Sequence, residues 1–273
     1  MGMSAMRSIA VKNRVDVRGF LGWLFLYGAG LLVALGLKLF YSRAGSDELA
    51  WILAPTSALT EILTGSHFQR EPRTGWISHS SRMILGPGCA GVNFLIIAFS
   101  AFFFSFVGRI KTAAGRCGWL AVSLGGAYLL AVVTNALRII AAIHLHDVDI
   151  YGGMITPPRV HRAEGTLLYL ASLLLAYLAI EHAFGRRMAA PARRRAPTPL
   201  IPLGWYAAIA LGVPLLNRAY TGGAAGPFRE HVALVLLVCL SVALVCLAPR
   251  IGVPSGEALE DRGRRSETPQ PRC

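Results

Sequence analysis

Three short motifs hold a nucleophile, a cation and a base: Cys89 within Gly86-Pro87-Gly88-Cys89-Ala90-Gly91, Arg138 within Asn135-Ala136-Leu137-Arg138, and His161 four residues ahead of Gly165. An imidazole beside a thiol converts it to thiolate and later protonates a leaving amine. A guanidinium at a low-dielectric boundary stabilises the oxyanion of a tetrahedral acyl intermediate. The set suits acyl transfer through a thioester, chemistry that calls for no metal or cofactor. Asn135 lies one turn before Arg138 on the same helix face and can orient it. Singly, each residue has a plainer reading, because free Cys is commonly a small buried hydrophobe and a lone interfacial Arg commonly snorkels. Glu164 and Arg162 can pair with or orient His161, although a solvated loop end explains both. Arg159, after Pro157-Pro158, can contact a substrate.

For these motifs to meet, the intervening chain must bring them to one level. The 273 residues are 54% hydrophobic and 15% charged, against about 25% charged in soluble domains, which excludes a soluble globular enzyme. Apolar stretches of bilayer length predict six spans, at 20–41, 89–108, 118–137, 165–184, 200–216 and 232–248. The fold class expected is all-α, a polytopic transmembrane helical bundle. A span of about 20 residues rises about 30 Å, so Cys89 opens the second span at the depth where the antiparallel third one delivers Arg138. His161 lies one turn before the fourth.

Charge gives the orientation. The 27 Lys and Arg exceed the 14 Asp and Glu, for a net charge of +13, which in a soluble protein would suggest nucleic acid. Seventeen of them fall in the tail 1–19, the short loops at 109–116 and 185–199, and the tail 249–273, against nine in the other segments and Lys38 inside the first span. By the positive-inside rule both termini are cytoplasmic, with anionic lipid as a partner rather than nucleic acid. The loop 42–88 and the site then face outward. Cys117, Cys239, Cys246 and Cys273 fall within spans or on the cytoplasmic side, so Cys89 is the lone outward thiol and has no disulfide partner. Within the outer loop, 47–65 is expected to lie along the membrane surface as one or two short helices despite Pro55, and 74–85 to form a hairpin turning at His79–Ser81. The segments 200–248 add two spans to a core at 20–184, and the end of the tail 249–273 reads as disordered. Gly28, Gly30, Gly125 and Gly126 read as helix-packing residues.

The motifs Gly88-Cys89-Ala90-Gly91-Val92-Asn93-Phe94 and Asn135-Ala136-Leu137-Arg138-Ile139, followed by His161 and Gly165, resemble the exosortase/archaeosortase superfamily of membrane cysteine transpeptidases. The first motif is most similar to the exosortase K type. The resemblance covers roughly a third of the chain and implies a catalytic set of Cys89, Arg138 and His161. It also implies the partners: exported proteins bearing a C-terminal sorting signal (PEP-CTERM-like), meaning a short motif, a transmembrane helix and a basic tail, cleaved at the outer face of a bacterial cytoplasmic membrane. Three rivals remain open. A transporter or channel also has six spans, but its polar groups belong at midplane. A metal site on His144, His146, Asp147, Asp149 and His161 meets the difficulty that the first two histidines do not share a helix face. A thiol-dependent membrane acyltransferase would use the same chemistry.

Overall fold

Long runs of Leu, Val, Ala and Phe satisfy their backbone as helix, the form that hydrocarbon requires. In a computed structural model of the chain, which describes residues 2–146, 156–187, 199–216 and 225–251, seven helices appear. They are α1 (Gly2–Tyr41), α2 (Ala50–Thr64), α3 (Val92–Phe106), α4 (Ala113–His146), α5 (Pro157–Arg187), α6 (Leu200–Leu216) and α7 (Ala225–Ile251). Five stretches are long and apolar enough to cross a membrane, four of them within α1, α4, α5 and α7 and one, Pro87–Arg109, made of α3 with the 3-10 turns at its two ends; α6 is a shorter apolar helix. The basic loop 185–199 and the tail 249–273 lie largely outside the described residues, as do Cys273, Asp147 and Asp149.

The centre of the bundle is α3. Within the structure 83% of its span is buried, against 17% of the spans on α1, α5 and α7. It touches α1, α4, α5 and α6 and packs through Phe94, Phe99, Phe103 and Phe106, all essentially inaccessible. Lipid tails are as apolar as these rings, so close packing rather than removal from water holds such helices together. Gly30 admits Phe103 to the backbone of α1, where a Cβ would lie 2.3 Å from the ring. Gly28, Gly125 and Gly126 have no neighbour within 4 Å of such an atom, so the packing role expected of them falls to Gly30 alone.

Two helices outrun the spans expected for them at 118–137 and 165–184. The apolar residues Ile139, Ile140, Ile143 and Leu145 carry α4 two turns beyond Arg138, and α5 starts at Pro157, where a proline is suited to a helix's first turn. His161 and Glu164 therefore sit within α5 rather than ahead of it. The side chain of Glu164 is only 11% exposed, which overturns its reading as a solvated loop end.

Between α1 and α3 the chain builds a small outer layer. The segment expected to lie along the membrane as short helices is the single helix α2, packed on α4 through a face that includes Ile52, Leu53, Thr56 and Thr60. Pro55 cannot donate to the Trp51 carbonyl; Tyr128 Oη of α4 donates to that oxygen instead, at 2.8 Å. The expected hairpin is present as β2 (Gly75–Ser78) and β3 (Met83–Leu85), and β1 (Gln69–Glu71), which the sequence reading missed, pairs on the other side of β2. The fold is therefore predominantly rather than wholly helical. Asp47 clips this sheet to the start of α2, accepting from Arg70 Nη2 at 2.9 Å and from the Arg73 amide at 3.1 Å. Those donors hold its carboxyl below the usual carboxylate range, so the clip is intact at neutral pH and weakens as pH falls through that lowered range. Trp76 and Leu85 anchor the sheet in the core, and β3 runs directly into the turn that carries Cys89.

Candidate active site

Cys89 ends a 3-10 turn, Pro87–Cys89. The turn is closed by the Cys89 amide on the Gly86 carbonyl at 2.9 Å and tied to α1 by Tyr41 Oη, which donates to the Pro87 carbonyl at 3.0 Å. Gly91 then takes φ +69° to reverse the chain into α3, a left-handed value that costs a residue with a Cβ. A Cβ there would also press on the Asn135 side chain at 3.3 Å. Half-buried Cys89 thus stands just ahead of the amino end of α3, whose dipole favours an anion. Across the helix interface Asn135 Nδ2 donates to the Cys89 carbonyl. Cys89 and the Asn135–Arg138 turn are therefore at one level, as the span arithmetic requires. Nearby, close to the end of α1, Lys38 Nζ donates to Asn93 Oδ1 at 3.2 Å.

Arg138 lies in a slot on α5. A Cβ at Gly165 would be 2.8 Å from its Nε, so only glycine leaves room. One turn to either side of that glycine stand the partners of the guanidinium. Nη2 contacts His161 Nε2 at 2.6 Å and Nη1 donates to Tyr169 Oη at 3.0 Å. Because arginine has only donors, His161 Nε2 is the accepting nitrogen. Its proton is then on Nδ1, which faces Glu164 Oε2 at 3.4 Å. Tyr169 Oη donates to Asn135 Oδ1 at 2.9 Å, and its ring stacks on Phe94 of α3, centroids 4.4 Å apart.

Of the residues singled out in sequence, Cys89, Asn135, Arg138, His161 and Glu164 gather here. The contact between Arg138 and His161 is direct, whereas Cys89 joins through its carbonyl, which accepts from Asn135. Among the described residues its thiol makes no hydrogen bond. Arg159 turns instead to α7, where Glu230 receives Arg159 Nη2 at 2.7 Å and Arg162 Nη2 at 2.9 Å. The sequence reading missed Tyr169, whose signal was its spacing of four from Gly165 and eight from His161 on one helix face. It missed Glu230 as well, for which no local pattern exists. Among the described residues no three His, Cys, Asp or Glu converge as metal ligands.

No family model, curated protein or solved structure matches this chain.

Proposed function

We propose that the protein is a membrane cysteine peptidase or transpeptidase, resembling the exosortases and within them the K type, that cleaves C-terminal sorting signals of exported proteins. In this reading it is a six-span protein of a bacterial cytoplasmic membrane with both termini inside, supported by the partition of 17 basic residues against nine. The active site then opens on the outer face. The observation that carries the reading is the meeting of Arg138 with His161 at 2.6 Å, beside an asparagine that holds the Cys89 backbone. A thiol, an imidazole and a guanidinium from three separated motifs thereby share one helix-bounded level.

The chemistry follows from the donors and acceptors. A scissile carbonyl arriving at Cys89 offers an oxygen that competes with His161 Nε2 for the Arg138 guanidinium. Released from that contact, Nε2 takes the thiol proton, and the thiolate attacks the carbonyl carbon. Arg138 stabilises the oxyanion. The C–N bond breaks, the leaving amine takes the proton from the imidazolium, and the upstream segment stays on Cys89 as a thioester. An acceptor nucleophile, whether water, a lipid amine or a polysaccharide, loses its proton to His161 and displaces the thiolate. A substrate whose own helix ends in the same bilayer presents its bond at this depth.

The deciding experiment coexpresses the protein with a tail-bearing substrate. Cys89→Ala and Cys89→Ser are expected to accumulate in the membrane yet leave the substrate uncleaved. Full processing by either variant would sink the assignment.

A further inference from the structure

We infer that Tyr169 is a positioning residue for this site, fixing the Arg138 guanidinium and, through Asn135, the backbone of Cys89. The inference rests on the thiol chemistry proposed above and adds to its contacts the two hydrogen bonds of Tyr169. Both ends of the chain of hydrogen bonds have a fixed direction. Arg138 can only donate, and the Cys89 carbonyl can only accept. Tyr169 Oη therefore accepts from Nη1 at 3.0 Å and passes its single proton to Asn135 Oδ1 at 2.9 Å, leaving Asn135 Nδ2 to donate to the Cys89 carbonyl. Turning the amide over would set its oxygen against that carbonyl, acceptor against acceptor.

Three further observations make the phenol more than a core residue. The Arg138 Nε is buried without a hydrogen-bond partner, so among the described residues hydrogen bonds hold the guanidinium only at His161 and Tyr169. The first of those contacts must break when His161 Nε2 takes a proton; the second persists and keeps Arg138 in place during the reaction. The ring itself is pinned, stacked on Phe94 at an interplanar angle of 15°, five residues from Cys89. Asn135 is fully buried, so loss of the phenol leaves its Oδ1 unpaired.

Tyr169→Phe removes the hydroxyl and keeps the stacked ring. In the full-length protein, cleavage of a tail-bearing substrate is expected to fall about tenfold or more, the scale of a lost hydrogen bond to a charged group. The second readout is the pH dependence of Cys89 alkylation by iodoacetamide. Its midpoint is expected to move in Tyr169→Phe in the same direction as in Arg138→Gln, with no further movement in the double variant. Leu168→Ala, at a partly buried apolar position of α5 beside Tyr169 that makes none of these hydrogen bonds, should leave the midpoint where it was. An unmoved midpoint in Tyr169→Phe, simple additivity with Arg138→Gln, or an equal movement in Leu168→Ala overturns the inference. If the unaltered protein leaves the substrate intact while Tyr169→Phe still moves the midpoint, the peptidase reading fails and the positioning role stands.

Discussion

Each end of the α3–α4–α5 core holds an arginine, a carboxylate and a tyrosine of α5, and the two ends use them in opposite ways. At one end Arg109 lies 3.6 Å from Glu181 and stacks over Phe106, its Cζ 4.7 Å from the ring centre. Phe106 packs in turn on Tyr177 and Phe184. The charge of Arg109 is met by an opposite charge and by a ring face, an arrangement that fastens helices. At the other end Arg138 has two neutral partners, an imidazole and a phenol, while the nearby carboxylate of Glu164 faces the imidazole instead. An arginine held by neutral acceptors keeps its charge available for an arriving oxyanion. The same three residue types thus make a structural joint at one end and, in the function proposed, a reactive cluster at the other, according to which partner takes the guanidinium.

The largest test of that contrast is to blunt each arginine to lysine, which keeps the charge and discards the planar fork. Arg138→Lys is expected to lower cleavage about 100-fold, the scale of losing an oxyanion donor. Arg109→Lys should leave cleavage within about twofold and lower unfolding stability by about 1 kcal/mol through the lost ring contact. Equal losses of cleavage at both ends would erase the distinction.

A second pair of variants uses the glycines of α5. A Cβ at Gly165 meets the Arg138 side chain at 2.8 Å, whereas one at Gly185 meets nothing within 4 Å. Gly165→Ala is therefore expected to displace the guanidinium and cost about tenfold in cleavage, about 1.4 kcal/mol. Gly185→Ala should be neutral for cleavage and stabilising by up to about 1 kcal/mol, the usual gain of alanine in a helix. Cleavage and thermal unfolding measured on both separate the two effects.

How much of this was legible in sequence depended on the range of the interaction. Apolar runs are local, so the helices and the hairpin at 74–85 could be read directly. Rise per residue is nearly constant, so the common level of Cys89 and Arg138 followed from counting. The ends of α4 and α5 were misplaced because Arg138 and the polar residues within 159–164 interrupt the apolar pattern without ending the helices, and that turned Glu164 from a loop residue into a mostly buried helical one. Strand β1 is three residues of Gln, Arg and Glu with no alternation, and only its pairing with β2 defines it. Tyr169 and Glu230 were missed for a related reason. A tyrosine in a span ordinarily reads as an interfacial anchor, and its tie to Arg138 crosses 31 positions, while the clasp from Arg159 to Glu230 crosses 71.

The smallest effect expected separates the two carboxylates. Glu164 has both oxygens buried without a hydrogen-bond partner, and its Oε2 stands 3.4 Å from His161 Nδ1, too long for a strong bond but close enough to favour one imidazole orientation. Such a group acts through the histidine, in the manner of the third member of a triad. Glu164→Gln keeps the shape and removes the charge that steadies an imidazolium, so single-turnover cleavage is expected to slow about threefold, under 1 kcal/mol. Glu181→Gln removes the charge facing Arg109 and should cost at most about 1 kcal/mol of stability, the range of a partly exposed ion pair, with cleavage unchanged. The reverse outcome, with Glu181→Gln slowing cleavage and Glu164→Gln leaving it alone, would mean that the two ends of α5 have been assigned the wrong way round, because only a carboxylate beside the imidazole has a route to the proton that moves.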